Sequence, residues 1–93
     1  MRVAEIFRQK LTLAFAPDEL VIEDESPRHA GHSGARPEGE SHFRVRIVSR
    51  AFEGINRVER QRKVHAVLAE ELKDRVHALV LTTLTPKENL PSP

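Results

Sequence analysis

A strand–helix–strand unit between residues 42 and 84 constrains the fold of this chain more than any other feature of its sequence. The segment HFRVRIVS, which starts at His42, alternates polar and apolar residues and so predicts a strand with one buried face. Residues 57–72 place apolar side chains at helical spacing, and the β-branched segment HALVLTTL ends at Leu84. A helix of about fifteen residues spans about 24 Å, close to the length of the first strand, so we expect the two strands to be parallel.

Two further elements are predicted before this unit. Apolar residues recur at helical spacing through the first fifteen positions until Pro17 bars continuation, which predicts a helix. The segment LVIEDE, from Leu20 to Glu25, lies between prolines and predicts a short strand. The helix is indicated by five apolar residues: Val3, Ile6, Phe7, Leu11 and Ala14.

The crossover helix is predicted to begin at Asn56, whose side chain can cap it, and to kink near Gln61, where a polar residue interrupts the apolar stripe. The predicted class is therefore α+β in the order α-β-β-α-α-β, with helices packed on one face of a three-stranded mixed sheet, an arrangement similar to the type II KH-like fold. A chain of 93 residues supports one core. We assign residues 1–86 to a single domain and residues 87–93 to a C-terminal tail.

The absence of cysteine excludes a disulfide framework, a thiolate nucleophile and an all-cysteine metal or iron–sulfur site made by this chain alone. We find no catalytic triad and no acid–base pair in the sequence, so the chain is not predicted to be an enzyme. No apolar run approaches the roughly 20 residues that span a bilayer, and no secretory h-region opens the sequence. We therefore expect a cytoplasmic protein without membrane contact.

Three or four of the five histidines are predicted to gather at one end of the sheet. Parallel pairing brings His42 and His77 to the same end, where the long 27–40 loop containing His29 and His32 also connects. Only His65 lies elsewhere, on the crossover helix. Imidazole is a ligand for zinc, copper and iron, but histidines at strand starts also serve as ordinary hydrogen-bonding groups, and the residues alone leave both interpretations open.

A basic segment begins within the second strand and runs into the crossover helix. Residues 44–63 contain seven basic and two acidic side chains, although the net charge of the whole chain is only +1. Such a segment suits phosphate or an acidic protein surface, and the alternative is a simple solvated face. The residues predicted to form a partner or nucleic-acid surface at the start of the crossover helix are Arg57, Arg60, Arg62 and Lys63.

The segments DESPRHAGHSG, GESHFRVRIVSRAFEGINRVERQRKVHAVLAEEL and VHALVLTTLTPKE together resemble the BolA family over nearly the whole chain. The resemblance implies a type II KH-like fold and an adaptor that binds monothiol glutaredoxin in iron–sulfur cluster trafficking or iron homeostasis. Two residues depart from the family pattern: Gln61 stands where histidine is usual, and Asn89 stands where tryptophan is usual.

The resemblance also implies a metal site that exists only in the complex. A bridging 2Fe–2S cluster would take sulfur ligands from glutaredoxin and glutathione and a nitrogen ligand from His77. A loop histidine would supply the second ligand, with His29 in the family position and His32 as a competitor. The isolated chain is then expected to be a monomer or weak dimer without a cofactor. The alternative function, implied by bacterial members, is transcriptional regulation through DNA binding by the basic face.

Overall fold

The computed structural model describes residues 2–25 and 42–89. Helices and strands follow one another in the predicted order α-β-β-α-α-β. Among the residues described, no helix is long and apolar enough to cross a bilayer. In chain order the elements are α1 (Val3–Phe15), β1 (Glu19–Asp24), β2 (His42–Val48), a 3-10 helix (Arg50–Phe52), α2 (Arg57–Val67), α3 (Ala69–Asp74) and β3 (Ala78–Leu84).

The three strands form a mixed sheet in the order β1-β2-β3. β1 pairs with β2 in antiparallel fashion, with Asp24 opposite Phe43. β3 pairs with β2 in parallel, with Ala78 opposite His42, which confirms the pairing predicted from the length of the crossover. The end of β1 and the starts of β2 and β3 therefore lie at one end of the sheet.

The core lies between one face of the sheet and the helices. Alternate residues of β2 point into it, and the ring of Phe43 packs against that of Phe7 on α1 at a centroid distance of 5.0 Å. The apolar face of α1, with its 3.6-residue period, and the apolar face of β2, with its two-residue period, thus pack together in one layer, as predicted. The buried cluster consists of Val3, Phe7, Leu11, Phe15, Phe43, Val45, Ile47, Phe52, Val64, Leu68 and Val76.

The crossover is divided at Leu68 and not near Gln61, where the sequence predicted a kink. Leu68 has φ −101° and ψ 14° and is fully buried, so it ends α2 and begins α3 while its side chain stays in the core. Gln61 remains within α2, and its Nε2 donates to the carbonyl oxygen of Leu81 at 3.1 Å. The polar residue interrupts the apolar stripe because it bonds to β3. The predicted cap is present, since Asn56 Oδ1 accepts from the N–H of Glu59 at 2.9 Å.

Candidate functional site

His42 and His77 lie side by side at the end of the sheet where β2 and β3 begin. His77 immediately precedes β3, and His42 is the first residue of β2. Their ring centroids are 6.4 Å apart, with an angle of 45° between the ring planes. The side chain of His77 is exposed and that of His42 is half-buried. The convergence of these two histidines follows from the parallel register, as predicted, and we call this end of the sheet the histidine rim.

The backbone that carries His77 is fixed on its N-terminal side. The preceding residue, Val76, belongs to the buried core cluster. The N–H groups of Arg75 and Val76 both donate to the carbonyl oxygen of Glu71 at 2.9 Å, which closes α3. The carboxylate of Glu71 in turn accepts from Lys10 Nζ on α1 at 3.0 Å. An exposed imidazole is therefore held on a well-anchored connection.

The β1 side of the histidine rim is tied to His42 through the backbone. The N–H of Glu25 donates to the carbonyl oxygen of His42 at 2.7 Å. The Glu25 carboxylate accepts from Arg44 Nε at 3.1 Å. Glu25 and His42 are therefore held next to each other at the rim. The predicted 27–40 loop, with His29 and His32, lies outside the described residues.

Among the described residues, neither the third histidine nor the acidic residues add a ligand to the pair. His65 is exposed on α2. Across residues 2–25 and 42–89, no group of three or more histidine, cysteine, aspartate or glutamate residues is arranged to hold a metal ion. In the described part of the chain, the metal-binding chemistry of the rim is therefore that of two imidazoles.

The predicted basic surface is divided by the structure. Arg57, Arg62 and Lys63 are exposed, and Arg62 Nη1 donates to Glu59 Oε1 at 2.7 Å within the same helix. Val58 is also 60% exposed there, so the surface combines positive charge with an apolar side chain. Arg60, by contrast, is buried, and its guanidinium is used inside the domain.

Arg60 connects three separate parts of the structure. Its Nε donates to the carbonyl oxygen of Ile55 at 2.7 Å, just before α2. Its Nη1 donates to the carbonyl oxygen of Thr83 on β3 at 3.3 Å and to Glu88 Oε1 at 2.6 Å. Because β3 is an edge strand, the bonds from Arg60 and Gln61 cover two backbone acceptors that would otherwise face water or another strand. Sequence reasoning missed this role because arginine in a basic run is usually solvated.

A hydrogen-bonded turn follows β3 at the start of the segment predicted as a tail. The N–H of Thr85 donates to Glu88 Oε1 at 2.8 Å, and the N–H of Glu88 donates to Thr85 Oγ1 at 3.2 Å. The side chain of Asn89 accepts from Arg46 on β2. Asn89, a departure from the family pattern, thus ties this turn to the sheet.

The hydrogen bonds to the Glu88 carboxylate are expected to stabilise the fold at neutral pH and to lose this effect in acid. The hydrogen bond from Arg60, assisted by those from Thr85, lowers the pKa of Glu88 from its ordinary value of 4.5 to about 2. Since the pKa is lower in the folded state, the stabilisation is complete above pH 4.5 and is lost as the pH falls towards 2. Urea unfolding should show a stability gap between wild type and Glu88→Gln that is constant at neutral pH and narrows across this window. A gap that widens on acidification would contradict the assignment.

Comparisons with known proteins identify relatives across almost the whole chain. A family model described as BolA-like protein matches residues 11–88. The chain is 49% identical over 88 residues to "Protein BOLA1, chloroplastic" of Arabidopsis thaliana, with 92% of this chain and 55% of the relative covered. It is 40% identical over 88 residues to "DNA-binding transcriptional regulator BolA" of Haemophilus influenzae, with 95% of this chain and 82% of the relative covered.

The fold is also that of solved relatives. The structure of BolA1 from Arabidopsis thaliana superposes with a TM-score of 0.86 at 46% identity, covering 97% of this chain and 98% of that one. The chain spans only about half the length of the full chloroplastic protein named above, at 55%. The likeness therefore concerns the α-β-β-α-α-β domain itself.

Proposed function

The chain belongs to the BolA-like family, and we propose that it is a non-enzymatic adaptor in iron–sulfur cluster trafficking or iron sensing. In this proposal it binds a monothiol glutaredoxin, and the two proteins share a bridging 2Fe–2S cluster to which His77 contributes a ligand. A chain without cysteine forms no disulfide, which suits a reducing compartment such as the cytoplasm. We propose a monomer or weak dimer in the absence of the partner.

The observation that carries this proposal is an exposed, anchored histidine on a chain that has no cysteine. A 2Fe–2S cluster takes four ligands, which in proteins are usually four cysteine thiolates or, in Rieske centres, two thiolates and two histidines. This chain can offer imidazole but no thiolate. His77 fits such a role because its ring is accessible while its backbone is fixed beside Val76. The thiolate ligands would then come from glutaredoxin and its glutathione.

The second ligand from this chain is assigned to His29, with His32 as the alternative. Both belong to the stretch of sequence between Glu25 and His42, and these two flanking residues lie at the same end of the sheet as His77. The contribution of this chain is to bind and orient the partner and to present neutral imidazole nitrogens, since a protonated ring cannot ligate.

Mixing the full chain with cluster-loaded monothiol glutaredoxin tests the proposal. We expect a heterodimer whose visible absorption and circular dichroism differ from those of the glutaredoxin cluster alone. His77→Ala is expected to abolish the new spectrum without preventing apo-complex formation, and either His29→Ala or His32→Ala to alter it. His65→Ala, which removes an exposed histidine on α2, is the matched control. No complex, or identical spectra for wild type and His77→Ala, would refute the shared cluster.

A DNA-binding regulator is the second candidate, and two observations favour it. A relative 40% identical to this chain bears that name, and Arg57, Arg62 and Lys63 form an exposed basic group at the start of α2. Each phosphate contact contributes about −0.9 to the slope of log affinity against log salt for duplex DNA. Neutralising all three residues should flatten that slope, whereas Arg8→Gln on the exposed side of α1 should not. Equal effects of the two changes would reject a specific surface.

A further inference from the structure

We propose that His42 and His77 form a binding site for a divalent transition-metal ion such as Zn²⁺, held by this chain without any partner. The two rings lie 6.4 Å apart between centroids, where His42 begins β2 and His77 immediately precedes the adjacent parallel strand β3. The inference does not depend on glutaredoxin or on an iron–sulfur cluster. It concerns His42, to which the cluster proposal gives no role.

The geometry is close to that of two imidazoles on one ion. With metal–nitrogen bonds of about 2.0–2.1 Å, the centroids of two coordinated rings lie roughly 5–6 Å apart. The observed separation is slightly larger, and rotation of the exposed His77 side chain can reduce it. The parallel ladder pairs His42 with Ala78, the residue after His77, so the two histidines lie on neighbouring backbones at the same end of the sheet.

The chemistry of the pair selects the class of ion. Neutral imidazole suits zinc, copper and nickel, whereas calcium and magnesium require oxygen ligands. The nearby guanidinium of Arg44 is paired with the Glu25 carboxylate at 3.1 Å, which offsets its charge. No third protein ligand completes the pair within the described part of the chain, so water would fill the remaining positions of a four-coordinate ion, one more than in zinc sites with three protein ligands.

Zinc titration of the isolated full chain by calorimetry at neutral pH tests the site. Wild type is expected to bind one Zn²⁺, and His42→Ala and His77→Ala should each raise Kd by at least about tenfold, since loss of even an outer-shell partner costs 10–100-fold. His65→Ala should bind as wild type does. His42→Cys should retain binding, because thiolate is itself a zinc ligand, and this variant distinguishes lost ligation from a loosened fold.

Several outcomes would overturn the site. These are no zinc binding by wild type, unchanged binding by His42→Ala, or a loss in His65→Ala as large as that in the pair. Failure of His42→Cys to bind better than His42→Ala would also count against it. The double variant His29→Ala, His32→Ala is expected to bind zinc as wild type does. Weaker zinc binding by this variant would show that the ion is held by ligands other than His42 and His77. Because no glutaredoxin is present, these results stand apart from the test of the shared cluster.

Discussion

Replacing Arg60 with alanine is expected to lower the free energy of unfolding by about 3 kcal/mol. The change removes hydrogen bonds to the carbonyl oxygens of Ile55 and Thr83 and to the Glu88 carboxylate. It also removes a guanidinium that lies 5.9 Å from the centroid of the Phe52 ring. The side chain of Glu88 is 35% exposed, so water can solvate the carboxylate left behind, which keeps the loss below the upper values for a broken buried pair.

Chemical unfolding followed by circular dichroism measures this loss against a matched control. Arg62→Ala removes the same side chain from the same helix, but Arg62 is exposed and pairs with Glu59 three residues earlier. Exposed pairs of this kind contribute about 0.2–1 kcal/mol, so the two variants should differ clearly. Similar stabilities for the two variants would show that the buried network contributes little. Such a result would mean that Arg60 does not stabilise the packing of α2 against β3 and the turn that follows.

The strand pairing could be predicted from the sequence because it depends on simple periodicities. The alternation around Phe43, Val45 and Ile47 indicates which face of β2 is buried, and the length of the crossover requires β3 to run parallel to β2. Once the register is parallel, His42 at the start of β2 and His77 just before β3 must lie at the same end of the sheet. The proximity of the two rings was therefore predictable, although their 6.4 Å separation was not.

The roles of individual polar residues could not be predicted because their partners are distant in sequence. Arg60 bonds to Thr83 and Glu88, which are 23 and 28 residues away, and nothing local separates it from the exposed Arg62. The local sequence predicts a kink near Gln61 because it does not show the hydrogen bond from Gln61 to Leu81. That bond depends on how α2 lies along β3. Tertiary packing, not helix propensity, placed the break at Leu68.

The second large effect is expected for Phe7→Ala, which should lower the free energy of unfolding by about 4 kcal/mol. The ring of Phe7 is fully buried and packs at 50° against that of Phe43. Truncation loses the burial of the ring and leaves a cavity between α1 and β2, where close packing prevents full collapse. Small domains have total stabilities of about 5–15 kcal/mol, so this single change removes a large fraction of the stability.

Leu13→Ala provides the control on the same helix, because Leu13 is 88% exposed and alanine favours the helix. Its effect should stay within about 0.5 kcal/mol. Urea unfolding of both variants measures the two losses, and equal m-values check that both unfold in two states. The comparison sets the loss of buried apolar area against the loss of exposed apolar area on one helix. If Phe7→Ala proved as mild as Leu13→Ala, the contact between α1 and β2 would not be what stabilises the sheet that carries His42 and His77.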